Sequence, residues 1–201
     1  MDEKMKELDA LFDFFREIDK EKLIERKTYV TGAVRWENDA EHAWHMAIMT
    51  VLLSEYANEE IDVLKTVTML LIHDIVEIDA GDTYAYDPEG KKTQKERERK
   101  AADRIFHLLP DDQADKMYEL WEEFEAQQTP EAKFARTMDN IQPMMLNDAS
   151  NGLSWDEHQV KLSQILKRNE RTADGSEQIW EYAKEEFLQK NIQAGHIIED
   201  H

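Results

Sequence analysis

Residues 69–82, MLLIHDIVEIDAGD, carry an apolar helical run straight into one histidine and four carboxylates, Asp74, Glu77, Asp79 and Asp82. A carboxylate buried there without a partner costs several kcal/mol even after relaxation, so Asp74 needs positive charge beside it. Glu77 follows His73 by one helical turn and shares its flank. Lys65 and Arg35 are candidate partners, but a divalent cation satisfies a neutral imidazole and carboxylates together and reaches deeper than a hydrated side chain. A metal is therefore the expected partner. The chain has no cysteine, so such a metal has only imidazole and carboxylate to bind it.

Three of the seven histidines, His42, His45 and His73, fall on the two most apolar stretches of the chain. A single histidine in such a place is usually a packed, hydrogen-bonded core residue; three near a carboxylate doublet carry more weight. A further ligand is expected from another helix, and FARTMDNIQPMML supplies Asp139 beside the apolar stripe Phe134, Met138, Ile141 and Met145. Pro143 lies four residues on, where its ring crowds the carbonyl of Asp139, so the helix is expected to kink or loosen there.

The elements that must position these residues are helical. Leu8, Leu11, Phe12 and Phe15, and again Met117, Leu120, Trp121 and Phe124, follow helical spacing, and no segment shows convincing two-residue alternation. Glycines and prolines such as Gly32, Gly81, Pro110, Pro130, Gly152 and Gly175 mark the connections. Segments 42–53 and 61–78 are apolar around most of their circumference and are expected to be central helices. Segment 91–104, KKTQKERERKAADR, mixes both charge signs and reads as a solvated helix held by pairs four residues apart.

Its 201 residues suffice for one substantial core. With 25 basic against 45 acidic residues the formal charge is −20, which disfavours a nucleic-acid polymer as partner. The amino terminus lacks the pattern of a secretory signal and no apolar run suits a bilayer, so a soluble cytoplasmic protein with no membrane partner is expected.

Taken in order, the His of EHAWH, the His-Asp doublet of LLIHDIVE and the Asp of RTMDN resemble the HD-domain metal-dependent phosphohydrolases. More narrowly, RWENDAEHAWH, HDIVEIDAGDT, ARTMDNIQP and SWDEHQV look like the branch that includes 5′-deoxynucleotidases, and the likeness runs from about residue 8 to residue 170. It implies an all-α, single-domain helical bundle of about seven or eight helices over residues 1–190, with a polar tail at 191–201. The metal ligands it implies are His42, His73, Asp74 and Asp139. It puts Glu77 and Asp82 around the attacking water and the substrate sugar, His45 in a supporting role and Asp79 in a structural one. The implied cofactor is one divalent ion, Mn²⁺, Co²⁺, Zn²⁺ or Fe²⁺, with Mg²⁺ also open.

The implied activity is release of phosphate from deoxynucleoside or nucleoside monophosphates. Alternatives are hydrolysis of nucleoside triphosphates, cyclic nucleotides or guanosine alarmones by the same centre, and a non-catalytic helical metal-binding module. A homodimer is expected because related proteins often pair. One departure concerns the sugar: the branch carries an Arg-Trp pair well before its first ligand histidine. That register falls here near Lys27 and Thr28, whereas Arg35 and Trp36 lie closer to His42. Arg35 is the expected phosphate contact. The loop AGDTYAYDPEG, followed by Lys91 and Lys92, is a candidate lid in which Tyr84 or Tyr86 stacks on a base.

Overall fold

A computed structural model describes residues 2–82 and 91–200. The expected lid, with Tyr84 and Tyr86, lies outside the described residues. The fold is a single all-α domain with one small antiparallel hairpin. Helix α1 (Glu3–Ile18) and a 3₁₀ turn lead into β1 (Glu25–Tyr29), which pairs with β2 (Trp36–Asn38). Helices α2 (Asp39–Leu53), α3 (Val63–Ile72), α4 (Glu77–Ala80), α5 (Lys91–Phe106), α6 (Asp111–Ala126) and α7 (Pro130–Ala149) follow. The short α8 (Leu153–Glu157) and α9 (Leu162–Arg168) precede α10 (Glu177–Ala183), which continues through a π-helical turn into α11 (Lys190–Ala194).

Local chemistry fixes the starts of the site-bearing helices. Asn38 caps α2 reciprocally with Glu41: its side chain accepts from the Glu41 amide at 2.9 Å while Glu41 accepts from the Asn38 amide at 3.1 Å. Asp62 caps α3 by accepting from the Lys65 amide at 3.0 Å. Helix α7 opens with Thr129 as cap and Pro130 in the first turn, where a missing N–H costs nothing. It then runs through Pro143 as one helix.

Two apolar clusters meet at the site. Met138 and Ile141 of α7 pack with Met46, Met69 and Leu70, and with Trp155, Ile165, Trp180 and Ile197 from the carboxy-terminal half. Phe14, Ile72, Ile75 and Val76 pack with Ile105, Phe106 and Trp121. The chain passes from one cluster to the other at the end of α3, and His73 and Asp74 sit at that passage. The segment after residue 190, set apart by its polar composition, packs on this body through Ile197 and through Ile198, whose amide donates to the Val160 carbonyl at 3.0 Å.

Three expectations need correction. Segment 61–78 is not one helix: α3 ends at Ile72, a turn carries residues 73–76, and α4 closes at Gly81, whose φ of +74° suits a residue without Cβ. Secondly, the sequence showed no strand, yet residues 25–29 and 36–38 pair, with an irregular register that hid the alternation. Thirdly, α2 and α3 are central only on one side: Trp44 is 63% exposed and Leu52 69%, and Ile48, Val51, Leu64 and Leu71 are exposed as well. Among the described residues no helix is long and apolar enough to cross a membrane.

Candidate metal centre

His42 projects from α2 into the interior and is fully buried. Its Nδ1 lies 2.8 Å from Gln142 Oε1, and the Gln142 amide nitrogen donates to Glu37 Oε2 at 2.9 Å. That chain of contacts makes Nδ1 the protonated nitrogen and leaves Nε2 with its lone pair. Nε2 is 3.1 Å from Asp139 Oδ1 on α7. His73 repeats the arrangement: Nδ1 donates to the Leu70 carbonyl at 2.9 Å, one turn back. Its Nε2 faces Asp74 Oδ1 at 3.0 Å and Asp139 Oδ1 at 3.8 Å without finding a hydrogen-bond partner. Ligand atoms of His42, His73 and Asp139 lie within 4.8 Å of one another.

Among the described residues the close group is His42, His73 and Asp139, converging from α2, the α3–α4 turn and α7, while Asp74 Oδ1 stands beside His73 Nε2 at 3.0 Å. Lone pairs facing lone pairs repel unless a proton or a cation lies between them. Two nitrogens and the Asp139 oxygen, each oriented from behind, form a donor set that fits a divalent ion, with the Asp74 oxygen beside His73. The remaining carboxylate oxygens are held by arginines: Arg26 Nη1 donates to Asp74 Oδ2 at 2.8 Å, and Arg136 Nη1 to Asp139 Oδ2 at 2.8 Å.

The sequence model of the HD domain matches residues 18–180. The chain belongs to the HD-domain family. His73 and Asp74 form the one His-Asp dipeptide in the chain, and it lies within the matched residues. Human 5′-deoxynucleotidase HDDC2 is 31% identical over 137 residues, 68% of this chain and 66% of that protein. The fission yeast 5′-deoxynucleotidase hdd1 is 30% identical over 115 residues, 55% of this chain and 57% of its own length. The chain therefore spans about two thirds or less of the length of these curated relatives. The crystal structure of a predicted metal-dependent phosphohydrolase from Magnetospirillum magnetotacticum MS-1 superposes with a TM-score of 0.90 at 44% identity, covering 95% of each chain. A conserved hypothetical protein from Pyrococcus furiosus shares the fold, with a TM-score of 0.61 at 24% identity over 87% of this chain and 99% of that one.

Around the HD doublet the electrostatics divide sharply. Burial, with Arg26 nearby, pushes His42 down to about 4 against the pull of Asp139. Burial also opposes charge on His73, but Asp74 and Asp139 outweigh it and raise the imidazole to about 10 without a metal. A cation binding there at neutral pH must displace that proton. Burial resists ionisation of Asp74 and Asp139 too, yet His73 and Arg26 hold the first below the usual carboxylate range, and His42, His73 and Arg136 hold the second there.

The other acids go the opposite way. Burial pushes Glu77 well above the carboxylate range, and Asp74, Asp39 and Asp82 add to it. Asp39 rises to about 8 through burial and Asp74, against the pull of Arg26. Asp82 is raised by burial and Asp74 against Arg26, Lys27 and Arg168. Glu77 and Asp82 both line a cavity of about 170 Å³ that reaches His73, Asp74 and Asp139.

The structure does not bring Arg35 to this cavity. Its side chain is 56% exposed and forms a two-pronged pair with Glu41 at 2.6 and 2.7 Å. Lys65 pairs with Glu123 at 2.6 Å, so neither expected partner meets Asp74. Asp79 pairs with Arg104 at 2.8 Å on the surface. His45 stands behind the centre, with Nδ1 3.3 Å from the Gln142 amide nitrogen.

Arg26, Asp39, Glu37 and Gln142 were missed by sequence reasoning. For Arg26 the signal was present: the family register for an arginine fell at Lys27 and Thr28, one residue away. Gln142 carried a weaker one, sitting three residues from Asp139 on the same side of α7.

Proposed function

We propose that this protein is a metal-dependent phosphomonoesterase, a 5′-deoxynucleotidase-like hydrolase that releases phosphate from deoxynucleoside or nucleoside monophosphates. The observation that carries the reading is the meeting of the His42 and His73 Nε2 atoms with Asp139, where His73, Asp74 and Asp139 line a cavity shared with Glu77 and Asp82. The names of the relatives support the substrate class. His42, His73, Asp74 and Asp139 hold the ion, which when bound acidifies water and draws charge from phosphoryl oxygens.

Every other part is played by the chain. Gln142 and the Leu70 carbonyl fix both imidazoles with Nε2 towards the centre. Glu77, with Oε2 lacking a protein partner, receives the proton of the attacking water. Burial, with the charges of Asp74, Asp39 and Asp82, keeps the Glu77 carboxyl basic enough to accept it. Asp82, on the same cavity wall, is placed to accept hydrogen bonds from the substrate sugar. The phosphorus–oxygen ester bond breaks as water oxygen joins phosphorus, and the proton taken by Glu77 passes to the departing 5′ oxygen, leaving inorganic phosphate and a nucleoside.

We further read the exposed apolar face of α2, Trp44, Ile48, Val51 and Leu52, as the seam of a cytoplasmic homodimer. A patch of large apolar side chains along one helix is what a self-complementary interface requires.

The test is phosphate release by the purified full chain from nucleoside mono-, di- and triphosphates and cyclic nucleotides, with Mn²⁺, Co²⁺, Zn²⁺ or Mg²⁺ added in turn. Monophosphates should dominate, and Glu77→Gln should keep its metal while losing roughly 10²-fold or more in turnover. Undiminished turnover in a chelated sample rules the scheme out.

A further inference from the structure

A phosphate monoester must enter a cavity rich in acids, and the cavity's cations differ in how far they are already engaged. Glu77, Asp82, Glu98 and Glu125 line it. Of its four cationic residues, Arg26 is committed to Asp74 at 2.8 Å and Asp39 at 3.2 Å. Arg136 is committed to Asp139 at 2.8 Å and Glu125 at 3.4 Å, with its guanidinium over the Phe124 ring. Lys27 and Arg168 are different. Both are partly exposed, both line the cavity, and among the described residues no carboxylate stands within ion-pair distance of either.

The two come from distant parts of the chain, β1 and the last residue of α9, and converge on one wall near Asp82. The Lys27 ammonium rests 4.1 Å from the centre of the Trp36 ring, a contact that orients the charge without neutralising it. In a chain of formal charge −20, two cations kept out of ion pairs on a cavity wall remain available to an incoming anion.

We propose that Lys27 and Arg168 form an anion subsite that captures the phosphate dianion of the substrate beside the metal centre. This rests on the phosphomonoesterase reading for the identity of the anion. Arg26 then neutralises the carboxylates behind the centre, and the pair on the wall meets the incoming ligand.

The experiment uses the full-length protein and the variants Lys27→Gln, Arg168→Gln, the two combined, and Arg168→Lys. Inorganic phosphate is the probe, titrated calorimetrically into metal-free and Mn²⁺-loaded protein. The KM for a nucleoside monophosphate is measured alongside. Each single variant should weaken phosphate binding and raise KM about tenfold, with kcat within about twofold, as expected for loss of one charge-assisted hydrogen bond. Arg168→Lys should recover most of the loss, and the salt dependence of KM should flatten in the double variant.

Phosphate affinity and KM unchanged in the double variant overturn the subsite, as does an Arg168→Lys variant no better than Arg168→Gln. The two readings fail separately. Absence of turnover on every nucleotide removes the activity while the phosphate titration still reports on Lys27 and Arg168; normal turnover with an unaffected double variant removes the subsite alone. Circular dichroism and thermal melts of each variant confirm that binding is compared between folded proteins.

Discussion

Helix α5 and the centre around Asp74 are both dense in charge, and they handle it in opposite ways. On α5, Lys100 meets Glu96 at 2.6 Å and Gln94 donates to Glu98 at 2.7 Å, each one turn apart on the helix. These partners are local and the Lys100–Glu96 pair is wet, so water does most of the work. At the centre Arg26 reaches Asp74 across 48 residues and His42 reaches Gln142 across 100. There the charges are dry, and Glu37 Oε1, Asp39 Oδ2 and Glu77 Oε2 are left without hydrogen-bond partners in the described structure. Surface charge is interchangeable, whereas buried charge is specified pair by pair.

The widest separation between the two regions should come from Arg26→Leu. Removing this guanidinium strands Glu37, Asp39 and Asp74, and stability should fall by about 3–5 kcal/mol in urea unfolding. A midpoint unmoved by that change would erase the distinction between dry and wet charge. Smaller is the effect of Gln142→Leu, which frees His42 to adopt the wrong tautomer. Metal affinity, read by competition with a chelator, should drop about 10–100-fold while the fold survives. Smallest of all, replacing Lys100 and Glu96 together with alanine should leave the urea midpoint where it was. A clear loss there would mean that α5 depends on its ion pairs and not on Ala101, Ala102, Ile105 and Phe106, the residues it buries.

The same contrast explains what was legible in the sequence. Helical spacing carried α6 and α7, and i, i+4 charge pairing carried α5, because each signal lies within a few residues. The meeting of His42, His73 and Asp139 was legible because residue type and order sufficed, without their distances. Arg26 had only the neighbouring family register to mark it, since its partners arrive from β2, α2 and the α3–α4 turn and nothing local in ERKTY marks it as buried. The hairpin was hidden by its irregular pairing. Apolar faces on α2 and α3 read as interior because hydropathy reports what a surface prefers, not whether the same chain covers it.

Helix α7 carries Asp139 and Gln142 three residues apart, one towards the centre and one steadying the imidazole opposite. Both functions therefore share a single rotational phase. One residue inserted between Pro130 and Asp139 would turn the downstream helix by about 100° and swing the ligand and its support away together. The same insertion in the connection at 127–129 leaves that phase intact. Length changes that the family tolerates should accordingly gather in the connections, and α7 should keep its count between its cap and its acid.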